Sequence, residues 1–517
     1  MVVVSIRAGA GAPALLDHRA LARPLSVAGV TADLDPDEFR RLGHAVVDWI
    51  ADHRAGLDAL PVQPGVEPGW VRGRLPAALP EDPAPLDALL DTVDRVVVPA
   101  STLWQHPRFF GYFPANASLH SLLGDMLSGA LGAQGMLWST SPAATEVEQV
   151  LVDAFAAALG LDAAFTFAGG GGGCIQDSAS SGALVALLAA LHRAEPGWRE
   201  TGVSGDERVY VTAETHSSLA KAVRVAGLGA QALRIVDTAP GTLSMDADAL
   251  GAALGADVAA GLRPVLVCPT VGTTGTGAID PVRQVAEVAR EHGVWVHVDA
   301  AWAGVAALCP EFRHLLDGVE LADSLSTNPH KWLLTAFDAS LLWVRDGAAL
   351  PAALSITPEY LRNAASESGS VVDYRDWQVP LGRRFRALKL WAVVHGTGLS
   401  GLRSHIREHV ALAAKLADRV RADPAFALAA DPSLALVCLR VVTGAGDRPE
   451  ADDAATREVL ARVNASGAAF LTHTVAGGRY VIRVAIGSVA TRPEDVDQLW
   501  DRLRTEAASL VQDPVVE

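Results

Sequence analysis

Residues 264–301 constrain the fold more than any other stretch. Pro264–Thr270, "PVLVCPT", is an unbroken apolar run. It lacks the polar alternation of a half-exposed strand, so it reads as a strand covered on both faces. A loop with Gly272, Gly275 and Gly277 follows. Asp280 then offers a helix cap and Pro281 the first helical position. Val282, Val285, Ala286 and Ala289 share one helical face, and Gly293 supplies the stop. Val294–Ala301, "VWVHVDAA", is the next strand. Strand, helix and strand at this spacing form a βαβ crossover, which commits the middle of the chain to a mostly parallel sheet with helices on both faces.

Arg208–Ser218, "RVYVTAETHSS", reads as a further strand ending in a polar loop. Upstream, Asp35 to Pro85 reads as one or two helices and a Pro-rich connection, "LPAALPEDPAP". After about Lys389 the pattern changes to a long amphipathic helix, "HIREHVALAAKLADRVRADP", and two strands, "ALVCLRVV" and "YVIRVAIGS". The expected class is α/β, with a smaller α+β domain at the C-terminus. The expected division is a flexible extension at 1–34, a helical segment at 35–118, a large domain at 119–388 and a small domain at 389–517.

Charge and composition narrow the function. A net charge of -17 argues against a nucleic-acid partner while leaving room for a local positive pocket. No run approaches the length that spans a bilayer. The N-terminal stretch has only a short apolar patch before Arg, Gly and Pro, unlike a secretory signal. Cys174, Cys268, Cys309 and Cys438 are scattered without a C-x-x-C pair, so neither disulfides nor a metal site is expected. The N-x-S triplets at Asn116 and Asn464 read as chance matches in a cytoplasmic protein.

Three candidate sites fall at strand ends, where open α/β sheets bind ligands. Phe167–Leu191 carries five glycines and then Ser178-Ala179-Ser180 at a helix start. Free N–H groups and hydroxyls there suit an anion, although a glycine linker with ordinary capping would look the same. Asp299 ends a buried strand, so it either meets a cation or caps a loop. Small Ala300 and Ala301 behind it leave room for a flat ring. Lys331 lies in "STNPHKWLL", between a turn and an apolar run. It is either half of a buried ion pair or a lysine that loses its proton to act as a nucleophile. Together, a phosphate cradle, an acid and an amine match what pyridoxal phosphate requires.

The chain resembles the group II pyridoxal-phosphate decarboxylases, in particular the aromatic-L-amino-acid decarboxylases. The blocks that carry this are "HPRFFGYFP" (106–114), "WSTSPAATEVE" (138–148), "GGGCIQDSAS" (171–180), "HSS" at His216, "HVDAAWAG" (297–304), "CPEFRHLLDGVELADSLSTNPHKWLL" (309–334) and "DYRDWQVPLGRRFRALKLW" (373–391). The resemblance implies the aspartate-aminotransferase-like architecture called fold-type I. It also implies a homodimer, with 35–118 packing on the partner subunit, and a small amino-acid substrate.

It further implies roles. Lys331 resembles the Schiff-base lysine, Asp299 the partner of the pyridine nitrogen, and His216 the imidazole stacked on the ring, with Ala301 opposite. Ser178, Ala179 and Ser180 match the phosphate turn, while Thr274 and Asn328 support phosphate or cofactor. Tyr360, in "ITPEYLRNAASESGS", matches the loop tyrosine that returns a proton to Cα, and His330 stacks nearby or shuttles a proton to it. Relatives with phenylalanine in place of Tyr360 tend to be aldehyde synthases. Trp104, Tyr112, Phe113, Pro114, Gln134, Met136 and Gly382 match the side-chain pocket, and Gly382 leans towards indole substrates.

The chain departs from the family at Ala115, Gln134, Met136, Asp177, Ser181, Gly182 and Trp302. The activity implied is decarboxylation of an aromatic L-amino acid. The alternatives are an aldehyde synthase or transaminase, an acidic-amino-acid decarboxylase, and a non-catalytic binding protein on the same scaffold.

Overall fold

Apolar side chains alternate between two cores on either side of one sheet. Val209, Val211, Leu266, Trp295, Leu342 and Val344 face one core. Tyr210, Val267, Val296, Val298, Leu341 and Trp343 face the other. This computed structural model describes residues 33–512, apart from 82, 83, 86, 357, 362, 363 and 445–447. Most of the expected flexible extension therefore lies outside the described residues.

The large sheet contains β1 (Gly172–Gln176), β2 (Glu207–Val211), β3 (Leu233–Ile235), β4 (Arg263–Val267), β5 (Trp295–Asp299), β6 (Ser324–Thr327) and β7 (Ser340–Val344), in the order β1-β7-β6-β5-β4-β2-β3. Pairs β2–β3, β2–β4, β4–β5 and β5–β6 are parallel. β7 runs antiparallel to both β1 and β6. Every other strand therefore points its carboxyl end at the same edge. This is the α/β sheet expected from the βαβ unit, with one strand reversed.

That unit differs in one detail. The helix is Val282–Glu291, and Pro281 precedes it with no side-chain cap. Asp280 does not cap it. It is buried and accepts the Met245 N–H at 2.6 Å and the Thr270 N–H at 2.7 Å. Two buried amides would otherwise lose their partners, which costs more than an uncapped helix start.

The smaller sheet contains β8 (Phe426–Leu428), β9 (Leu436–Val441), β10 (Thr472–Ala476) and β11 (Arg479–Ala485), in the order β10-β11-β9-β8 and antiparallel throughout. Helices Pro449–Ala465 and Pro493–Gln512 accompany it. The helix Arg386–Ala422 joins the two sheets and kinks at Gly398, whose φ of 66° suits only glycine without strain. The segment 106–116 threads between the two units. Phe110 N–H donates to Phe470 O, Ala485 N–H to Phe110 O, and Asn116 N–H to His330 O. Among the described residues no helix is long and apolar enough to cross a membrane.

Candidate active site

The expected cofactor residues meet at the carboxyl edge of the large sheet. Ser178 caps the helix Ala179–Ala194 after β1, and its Oγ accepts the Ser181 N–H at 3.3 Å. His216 caps the helix Ser217–Val225 after β2. Asp299 ends β5, and Asn328 and Lys331 follow β6. Ser178, Ala179, Ser180, His216, Thr274, Asp299, Ala301, Asn328, His330 and Lys331 all line one cavity of about 280 Å³. The glycines before Ser178 do not line it. Gly172 and Gly173 belong to β1, and a side chain at Gly169 or Gly171 would run into the carbonyls of Ala163 and Ala164. The glycine run is therefore a close-packing device, and the anion site is the helix start alone.

Burial pulls the Lys331 amine below its usual pKa. Asp299 draws it back up, and Arg483 pushes it further down. The backbone around it is fixed. Lys331 N–H donates to Asn328 O at 3.0 Å, Asn328 N–H to Ala301 O at 2.9 Å, and Ser340 Oγ to Asn328 Oδ1 at 2.6 Å. Asp299 Oδ1 accepts the Ala301 N–H at 3.0 Å.

Both cavity histidines use Nδ1 to accept a main-chain N–H. His330 Nδ1 accepts the Ala339 N–H at 3.0 Å, so its proton sits on Nε2. Burial, with Lys331 beside it, pushes its pKa down to about 3. His216 Nδ1 accepts the Ser218 N–H at 3.2 Å, and burial likewise lowers its pKa. His330 thus has one proton to give and cannot take up a second near neutral pH.

The expected substrate residues divide. Phe113 lines the cavity and stacks on Trp302 at 4.2 Å. Trp104 and Tyr112 stack on each other at 5.5 Å. Tyr112 borders an adjoining recess of about 420 Å³ that also meets His216, Thr274 and Arg483. Pro114 packs beside Gly487. Gln134, Met136 and Gly382 do not line this chain's cavity. Gln134 accepts the Arg383 N–H at 2.5 Å next to Gly382, on an exposed part of the chain. Tyr360 belongs to the short turn Glu359–Leu361, and its side chain lies outside the described residues.

The structure adds residues that the sequence reading passed over. Thr270, Gly272 and Phe337 also line the cavity, as does Trp302, which the sequence marked only as a departure from the family. Thr270 Oγ1 is buried without a hydrogen-bond partner, a costly state unless a ligand supplies one. Arg483, on β11, is only 3% exposed. It donates to Gly275 O at 2.9 Å, Thr472 Oγ1 at 2.9 Å and Tyr112 O at 3.3 Å, and its guanidinium lies 5.2 Å from the Phe113 ring centre. Among the described residues no carboxylate pairs with it, and burial lowers its pKa. The signal was in the sequence: one charge in an otherwise apolar strand, "YVIRVAIG".

The donor set fits pyridoxal 5'-phosphate. A helix start with two serines suits the phosphate, a strand-end carboxylate the ring nitrogen, and a buried amine the aldehyde. The orphaned Thr270 hydroxyl is a further polar atom left for a ligand.

Comparison with known proteins agrees. The family described as "Pyridoxal-dependent decarboxylase conserved domain" matches residues 68–442. Phenylacetaldehyde synthase of Arabidopsis thaliana is 43% identical over 485 residues, covering 93% of this chain and 98% of that protein. Tryptophan decarboxylase 2 of Oryza sativa subsp. japonica is 42% identical over 481 residues, covering 92% and 96%. A crystal structure of Oryza sativa TDC with PLP and tryptamine superposes with a TM-score of 0.90 at 42% identity, covering 93% of this chain and 100% of that one. The chain belongs to the pyridoxal-dependent decarboxylase family, and it is a carboxy-lyase whose cofactor is pyridoxal 5'-phosphate.

Proposed function

We propose that the substrate is an aromatic L-amino acid of the tryptophan, phenylalanine, tyrosine or DOPA type, and that the products are the arylalkylamine and carbon dioxide. The observation that carries this reading is the convergence of Lys331, Asp299 and the Ser178–Ser180 turn on one cavity walled by Phe113 and Trp302. The relatives named above support an aromatic side chain.

When bound, pyridoxal phosphate supplies a conjugated ring that accepts the electron pair left behind by the departing carboxylate. Lys331 holds its aldehyde end through the buried amine. Asp299 keeps a proton on the ring nitrogen, where a positive charge favours electron withdrawal. Ser178, Ala179 and Ser180 hold the phosphate, with Thr274 and Asn328 supporting. His216 covers one ring face and Ala301 the other. Tyr360 returns a proton to Cα, and the His330 Nε2–H is placed to pass one on.

Arg483 is the positive charge for the substrate's α-carboxylate. It is buried, forms no ion pair among the described residues and borders the recess that also holds His216 and Glu214. Arg483→Met is expected to raise KM for the amino acid roughly tenfold or more, in the range of a charge-assisted hydrogen bond. Steady-state kinetics check this, and an unchanged KM would remove Arg483 from the binding role.

The active form is a homodimer. The helix Leu119–Leu131 exposes Leu119, Leu123, Met126, Leu127 and Leu131, more apolar surface than a lone helix leaves in water. Gln134, Met136 and Gly382 lie outside this chain's own cavity, where they are available to complete the partner's pocket.

A second reading, the aldehyde synthase, is favoured by the identity to phenylacetaldehyde synthase. One experiment separates the two. Purified holoenzyme is given tryptophan, phenylalanine, tyrosine, DOPA, glutamate and aspartate, and carbon dioxide, amine, ammonia and peroxide are measured. The expected result is amine equal to carbon dioxide with an aromatic substrate. Ammonia and peroxide in place of amine would establish the synthase, and turnover of glutamate or aspartate alone would overturn the aromatic reading.

A further inference from the structure

Asn116 sits in a triplet that reads as a chance glycosylation match. The structure buries it, at 1% exposure, and engages its whole carboxamide. Nδ2 donates to the carbonyl of Lys331 and to the carbonyl of Gly487, the latter at 2.7 Å. Oδ1 accepts the Val489 N–H at 2.8 Å. Its backbone N–H donates to His330 O at 3.0 Å. Two carbonyls on one side and an N–H on the other fix the orientation of the amide.

These partners belong to different units. Lys331 follows β6 of the large sheet. Gly487 and Val489 follow β11 of the small sheet, the strand that carries Arg483 only four residues before Gly487. Gly487 has no slack of its own, since a Cβ there would lie 3.1 Å from Pro114. Lys331 Nζ and the Arg483 guanidinium approach the same Phe113 ring, at 5.4 Å and 5.2 Å from its centre. Their separation therefore depends on how the two sheets are set against each other, and the Asn116 side chain is a direct bond between them.

We propose that Asn116 is a positioning residue that registers Lys331 with Arg483, so that one amino acid spans both: its amine at the lysine end of the cavity and its carboxylate at the arginine. This inference rests on the carboxylate-binding role given to Arg483 above. An amino acid needs both cations at the correct separation. The matching arylalkylamine, which lacks the carboxylate, needs only the first. Disturbing the register should therefore weaken the amino acid selectively.

The test uses holoenzyme with Asn116→Asp, Asn116→Ala and Arg483→Met, each normalised for cofactor content. Asn116→Asp keeps the size and the acceptor for Val489 but turns the donor end into a carboxyl oxygen facing two carbonyls; Asn116→Ala removes the carboxamide without adding charge and keeps only the main-chain bond to His330. In Asn116→Ala, KM for the amino acid is expected to rise roughly tenfold while the inhibition constant of the amine stays within about twofold, because only hydrogen bonds of the registering amide are lost; Asn116→Asp, which also adds a buried carboxyl group, should weaken the amino acid at least as much. Arg483→Met should show the same selectivity. If Arg483→Met is selective and the Asn116 variants weaken both ligands equally or neither, the register proposal is overturned and the role of Arg483 stands. If Arg483→Met is itself unselective, the carboxylate assignment fails and the register proposal fails with it. Should Asn116→Asp not fold, the alanine variant alone decides.

Discussion

Lys331→Ala is expected to abolish turnover, with kcat down by at least about 10⁴-fold, because no other amine in the cavity takes its place. The wild type should be yellow with cofactor, and borohydride should fix the cofactor on the peptide containing residue 331. The variant should hold cofactor only through its phosphate cup and show no mass gain at that peptide. Lys331→Arg should be just as inactive, since it restores the charge without a nucleophilic amine. Activity in either variant, or a borohydride adduct elsewhere, would remove Lys331 from its assigned role.

Asp299→Ala ranks second. Its carboxylate stands at the end of β5 with one oxygen held by the Ala301 N–H, and its charge is felt at Lys331, His216 and His297. Removing it takes away the group proposed to keep the ring nitrogen protonated. A fall in kcat of about 10²- to 10³-fold is expected, the scale for losing one preorganised electrostatic partner. Lys331 also loses the neighbour that raises its pKa, so cofactor capture should reach lower pH in the variant. Cofactor content should fall less than kcat, because the phosphate turn is untouched. A variant with normal kcat would show that Asp299 serves only the Ala301 turn.

Strands β2, β4 and β5 were legible because they are buried on both faces and read as largely apolar runs, whereas β1, GGCIQ, and β6, SLST, are buried without such a run. Asp299 was legible as a carboxylate ending such a run, Lys331 as a cation entering an apolar one, and the Ser178 turn as serines opening a helix. Residues whose partners are distant in sequence were not legible. Asp280 looked like a local cap, but its amides come from Met245 and Thr270. Asn116 read as a chance N-x-S match, and its partners lie at 331 and 487–489. The glycines at 169–173 suggested a ligand loop, and only the approach of Ala163 and Ala164 reveals packing. The side-chain pocket was legible only through resemblance, and Gln134, Met136 and Gly382 fall outside this chain's cavity.

The tautomers of His216 and His330 carry a consequence of their own. Each imidazole has its Nδ1 occupied by a main-chain N–H, and burial lowers the pKa of both, so both favour the uncharged form. The charged side chains around a bound substrate are then Lys331 and Asp299 in the cavity and Arg483 and Glu214 in the recess beside it. A bend in the rate between mildly acid and mildly alkaline solution is then to be sought first in the amine of the incoming substrate, the lysine, Tyr360 or the cofactor, before either imidazole.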